Sequence, residues 1–268
     1  MFNARDLLGQ VMQAGMSGSA ADRMRHAMGP KGLGQAGNPL AELFGQSGSG
    51  GGLGGLAGMA GSLFSDASRS VKRGDPLAVG GLGALAGAVL GGGRGAMRGA
   101  VGGGILALLG GLAMTALKNQ TGTASGPDQL AKEAPLGLRE PQDPGEEAEL
   151  ERTAQLVLRA MINAAKADGQ IDAGEMQRIV GKLEEDGADD EARAFVLKEM
   201  QKPEDLDGLL RDVRSREVAV EVYAASLLAI EVDTPAERDY LRRLAERSNL
   251  DASTVQRVHE VLGVPALA

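Results

Sequence analysis

Of the chain's 41 glycines, 33 lie before Pro127 and eight are scattered singly after it. Glycine loses more backbone freedom on folding than any other residue, so a stretch this dense in it opposes a conventional soluble core. A chain of 268 residues with so uneven a composition is expected to divide into a glycine-rich front part and a more ordinary back part. Charge divides at the same place. Residues 1–126 carry ten Lys/Arg against five Asp/Glu, and residues 146–268 carry 16 against 27, so the two parts stand at +5 and −11. A cationic front part suits anionic lipid, whereas the acidic part is repelled by nucleic acid, which is excluded as a partner.

Within the front part, the segment from Leu77 to Leu117 has only Arg94 and Arg98 as charges. It splits into two apolar runs, Leu77–Gly93 of 17 residues and Gly99–Leu117 of 19. Each is close to the roughly 20 residues a helix needs to cross hydrocarbon, so a helical hairpin is expected. Small residues recur at every fourth position: Gly83, Gly87, Gly91, Gly95, Gly99, Gly103, Ala107, Gly111 and Thr115. On a helix this glycine zipper forms a smooth ridge where a second backbone can approach closely, as happens between helices in lipid. The reading is a membrane-associating, self-associating hairpin, with a soluble self-associating segment as the alternative. Low glycine hydrophobicity and the absence of flanking Trp or Tyr weigh toward that alternative.

Residues 1–76 otherwise read as flexible, with no sustained apolar period between 15 and 62. The exception is a short amphipathic helix over 3–14, with Leu7, Leu8, Val11 and Met12 on one face, serving either as a docking segment or as a fraying terminus. The start lacks a basic region followed by an apolar run, so export by a signal peptide is not expected. Residues 118–145, with Pro127, Pro135, Pro141 and Pro144, read as a linker.

From residue 146 onward apolar residues recur at helical spacing: Leu150, Ala154, Val157, Leu158, Met161 and Ile162; then Met176, Ile179, Val180 and Leu183; and so on to Val255, Val258 and Leu262. The pattern predicts about seven helices and an all-α domain over 146–268. Helix starts are predicted at Asp172, at Thr234-Pro235-Ala236-Glu237 and at Asp251, where a polar cap precedes an apolar run. Arg238, Arg242, Arg243 and Arg247 read as a solvated stripe paired with Glu237, Asp239 and Glu246. His26 and His259 are both expected at the surface.

Two acidic turns stand out. Ala165-Lys166-Ala167-Asp168-Gly169-Gln170-Ile171-Asp172-Ala173-Gly174-Glu175 holds three carboxylates, and Ala229-Ile230-Glu231-Val232-Asp233-Thr234-Pro235-Ala236-Glu237 repeats the design in shorter form. Brought together, Asp168, Asp172, Glu175, Asp233 and Glu237 would offer hard oxygen ligands to Ca²⁺ or Mg²⁺. The alternative is that they serve only as helix caps. An EF-hand from Asp168 is rejected, because position six is Ala173 and position twelve is Ile179. The chain has no cysteine, so disulfides and thiolate sites are excluded. No phosphate-binding Gly-Lys-Ser/Thr occurs, and no nucleophile assembles with histidine and acid, so no enzyme is expected.

The first acidic turn after an alanine-rich helix resembles the hallmark of TerB-like domains, and the second is similar to their second acidic turn. The second turn departs from that pattern, with Thr234 after Asp233 where glycine is usual and three fewer loop residues. The order of parts, glycine-rich then helical, resembles the YebE-type bacterial inner-membrane proteins. The resemblance implies a roughly seven-helix bundle, an acidic metal-binding centre and a link to tellurite resistance or envelope stress. The expected function is a non-enzymatic membrane-associated scaffold or sensor. In it residues 77–117 meet lipid or a second copy, and a cytoplasmic helical domain binds a divalent cation or protein partner. The alternative is a soluble interaction module.

Overall fold

The computed structural model describes residues 3–15, 18–29, 32–33, 97–117, 136–137, 141–169, 171 and 173–267. All ten elements among the described residues are α-helices: α1 (Ala4–Gly15), α2 (Gly18–Met28), α3 (Met97–Leu117), α4 (Pro144–Ala165), α5 (Ala173–Glu185), α6 (Asp190–Gln201), α7 (Leu206–Leu210), α8 (Arg216–Ala229), α9 (Pro235–Arg247) and α10 (Ala252–Leu262). The seven from α4 onward match the number that the apolar periodicity predicts. The first run of the expected hairpin, with Gly83, Gly87, Gly91 and Gly95, lies outside the described residues.

Helix starts are set locally. Asp143 accepts from the Gly145 and Glu146 amides ahead of Pro144, and Asp189, Asp205 and Ser215 each accept from an amide three residues on. Thr234 and Glu237 form the predicted capping box with Pro235 in the first turn, and Asp251 accepts from Thr254 N. Each cap satisfies amides that the first turn leaves without a partner.

The hub is α8, buried at every residue from Ala219 to Leu228. It is apolar on nearly all sides, which suits a helix enclosed by others. It packs most extensively on α4 and α3 and also meets α2, α9 and α10. Helix α3 buries Ile105, Leu106, Leu108, Leu109, Leu112, Ala113 and Ala116, and is covered by α1, α8 and α10. The second run of the expected membrane hairpin is thus a core helix. Among the described residues no helix is long and apolar enough to cross a membrane.

Helix α1 lies against α3, α4 and α5 and buries Ala4, Leu7 and Leu8, while α2 rests on α10 and α8 and buries Ala20 and Ala27. One hydrophobic core therefore draws on residues from both sides of the proline-containing stretch 118–145.

A candidate interaction site between two acidic turns

The first turn links α4 to α5. Lys166, at the C-cap of α4, buries its stem and sends its ammonium to the Glu199 and Lys202 carbonyls, at 2.7 and 2.9 Å. These are acceptors at the C-terminal end of α6, where a cation is favoured by the helix dipole. Burial lowers the Lys166 pKa, opposed by the neighbouring Glu199 carboxylate. Asp168 follows two residues later and is exposed, and Ile171 turns back onto the core. Asp172 and the side chain of Glu175 lie outside the described residues.

The second turn links α8 to α9. Glu237 is buried, and its Oε2 accepts from Asp233 N at 3.1 Å, Thr234 N at 3.0 Å and Thr234 Oγ1 at 2.9 Å. Three donors on one oxygen are what a cap does, and they leave that oxygen little capacity for a cation. Asp233 has an exposed side chain. Val232 stands at φ 62, in the left-handed region that a β-branched residue rarely adopts, so the turn is held against local preference.

What holds it includes Arg23, from α2. Its guanidinium donates to the carbonyls of Leu227 and Ile230, and to that of Glu231 at 3.0 Å. These acceptors are at the end of α8, so Arg23 does for α8 what Lys166 does for α6. Burial lowers its pKa, while Glu231 and Glu237 oppose that shift. Sequence reasoning missed both cations, because their partners are backbone carbonyls distant along the chain.

Of the five candidate metal ligands, the structure thus places Asp168 and Asp233 at exposed turn positions and commits Glu237 to its own cap. Among the described residues no group of three or more His, Asp or Glu is arranged to hold a metal ion. The two turns instead contribute apolar side chains to one lining. Ile171 from the first and Ala229 from the second line one cavity of about 110 Å³, together with Val11, Met161, Ile179 and Leu228.

Two expectations about charged and polar groups change. His259 is buried rather than exposed: Nε2 lies 2.9 Å from the Tyr223 hydroxyl and Nδ1 lies 2.7 Å from the Pro265 carbonyl. Since that carbonyl only accepts, Nδ1 carries the proton and Tyr223 donates to Nε2. Burial lowers the His259 pKa, with the Pro265 and Val264 backbone contacts opposing. The arginine stripe of α9 reaches beyond its own helix. Arg243 pairs with Glu204 at 3.1 Å and Asp239 at 3.3 Å, Arg247 pairs with Asp207, and Arg238 donates to the Val232 and Asp233 carbonyls.

A family model described as "Protein of unknown function (DUF533)" matches residues 72–262, from within the glycine-rich part to the end of α10. An uncharacterized protein in the ampR 5′ region of Yersinia enterocolitica is 32% identical over 105 residues, covering 39% of this chain and 76% of that protein. No solved structure gives a significant match. With most of its length matched, this chain belongs to the DUF533 family.

Proposed function

We propose that the protein is a non-enzymatic interaction module whose acidic helical body receives a basic, apolar-tipped segment of a protein partner between its two acidic turns. The observation that carries this reading is the joint geometry of those turns: Ile171 and Ala229 line one apolar cavity, and exposed Asp168 and Asp233 sit on the same two turns. An apolar centre with a polar rim is the usual anatomy of a protein contact. The test is a titration of the ¹⁵N,¹³C-labelled full chain with a synthetic amphipathic helix bearing leucines flanked by lysines. Shifts centred on the Ile171 and Ala229 methyls, lost when glutamates replace the lysines, support the reading. Shifts elsewhere, or none, refute it.

A divalent-cation role rests on the first turn, where Asp168, Asp172 and Glu175 fall within eight residues. Calorimetry of the full chain with CaCl₂ and MgCl₂ tests it, with Asp168→Asn/Asp172→Asn abolishing the heat if the turn is the site. Attachment to the bacterial inner membrane rests on the run Leu77–Gly93 and on the likeness to YebE-type proteins. Carbonate washing of membranes from cells expressing the full chain, with and without residues 77–93, decides it. A TerB-like role in tellurite or envelope stress rests on that resemblance alone.

A further inference from the structure

We infer that His259 is an acid-operated latch on the candidate interaction site: its protonation frees α2 from the end of α10, and with α2 the contacts that helix makes at the second acidic turn. This rests on the reading of that site given above and adds its regulation. The chain has two histidines, far apart in sequence, and both meet the turn that ends α10. His26 Nδ1, from α2, lies 3.1 Å from the Val261 carbonyl, and the ring packs so closely on Gly263 that a Cβ there would come within 2.7 Å of it. From inside the turn, His259 Nδ1 donates to the Pro265 carbonyl at 2.7 Å and Nε2 accepts from the Tyr223 hydroxyl at 2.9 Å. Helix α2 is thus seated on a turn that a neutral imidazole holds together.

The place does not suit an imidazolium. Tyr223 is fully buried, and its hydroxyl makes no other hydrogen bond among the described residues. A proton on Nε2 turns that bond around and leaves the hydroxyl hydrogen without an acceptor. Helix α10 packs against α3, α2 and α8. From α2, Arg23 acts on the ring with the same sign of charge and His26 shares its turn, while Asp22 is exposed and pairs with Arg25. From α8 the facing group is Tyr223; Glu221, two residues earlier, lies on the opposite face, and Arg216 and Glu217 are exposed in the first turn. The ionisable residue of α3 is Arg98, whose side chain lies outside the described residues. On α10 itself Arg257 and Glu260 pair with each other. Burial disfavours the charged ring, the Pro265 and Val264 backbone contacts offset it in part, and Arg23 adds to it.

The seat of α2 is tied to the site through α2 itself. Arg23, one turn before His26, holds the carbonyls of Leu227, Ile230 and Glu231, and Ala20 lines the apolar cavity beside Leu228 and Ala229. Seat, clasp and cavity wall belong to one 11-residue helix, a length that is marginal without tertiary contacts. Losing the seat therefore loosens the clasp and the wall together.

The test is amide hydrogen exchange in the full chain without any ligand, from about pH 7.5 to about pH 5.5. It holds or fails independently of the peptide titration that tests the interaction site. With one proton driving the opening, protection of the α2 amides, corrected for the intrinsic rate, is expected to fall by up to about tenfold per pH unit below about 6.5. Throughout, α2 is expected to exchange faster than the buried part of α4, and the Leu228 and Ala229 methyl resonances to shift over the same range. His259→Gln keeps hydrogen-bonding groups in place but takes up no proton, so its α2 protection is expected to stay level. His26 still titrates in that variant, so a fall that persists there overturns the latch. Exchange of α2 at the same rate as α4 also overturns it, because the helix then opens only with the whole fold. In His26→Gln the fall is expected to remain, since His259 still titrates; level protection in that variant overturns the assignment to His259.

Discussion

Glu221 sits in the middle of the buried run of α8 and is only 4% exposed. Burial, and secondly the Glu217 carboxylate one turn earlier, push its pKa up from 4.5 to about 8. A raised pKa makes the group's contribution to stability full below the unfolded value of 4.5. That contribution is lost as the pH rises through the folded value near 8. At pH 7 the folded chain must hold a proton that the unfolded chain has released, and two and a half pH units at 1.36 kcal/mol each make that about 3 kcal/mol. Glu221→Gln keeps the shape and removes the titration. Its stability relative to wild type is expected to be near zero at pH 4.5 and to rise to about 3 kcal/mol in its favour at pH 7. Urea denaturation followed by circular dichroism at half-unit steps from pH 4.5 to 8 measures the difference. The shape carries the test rather than the offset, because an amide in that place packs differently from an acid. A gap that stays constant across this range shows that Glu221 does not titrate differently in the folded and unfolded chains, and the reasoning fails.

His259 works in the opposite direction. Its lowered pKa makes stability full above about 6.5 and lost as the pH falls below it, so His259→Phe should flatten the acid side of the same urea series. Arg23→Ala removes the cation from the end of α8 and should cost about 2 kcal/mol in chemical denaturation, with Arg23→Lys recovering part of it; no loss in either refutes the clasp's role there. Thr234→Ala breaks the capping box and should cost about 1 kcal/mol, with faster amide exchange confined to the first turn of α9. Gly263 has φ 66, and a Cβ there would lie 2.7 Å from the His26 ring. Gly263→Ala should cost on the order of 1–2 kcal/mol and speed hydrogen exchange in α2 as well as at the end of α10. Unchanged exchange in α2 would show that His26 does not rest on that turn.

How much of this was legible depended on the range of the interaction. The capping box at Thr234 and the cap at Asp251 could be read because each is closed within four residues. The caps at Asp143, Asp189, Asp205 and Ser215 are equally local; Asp143 immediately before Pro144 was a readable signal that went unused. The seven helices of the acidic part followed from apolar residues recurring at helical spacing, which six of them bury as one face and α8 buries on nearly all sides. The burial of His259 did not, because its partner Tyr223 lies on another helix and a single histidine carries no periodic signature. Lys166 and Arg23 were beyond reach for a stronger reason. Their acceptors are main-chain carbonyls, which every residue possesses, so no residue type marks them. The acidic turns were half legible: their carboxylates suggested a cation, but the described ones are exposed or used as a cap, and the lining they share is apolar.

Helix α3 shows where composition alone is ambiguous. A helix apolar on every side is equally suited to a bilayer and to a protein core, and small residues every fourth position allow close helix contact in either. What separates the two is whether other helices offer enough apolar surface to enclose it. Here α1, α8 and α10 do so, and α1 comes from the very segment whose positive charge had suggested lipid. The split of +5 and −11 along the chain is, in space, partly a contact: Arg5 answers Glu147 and Glu151, and Arg23 answers the carbonyl end of α8. A block of charge in a sequence therefore does not require an external partner of opposite sign.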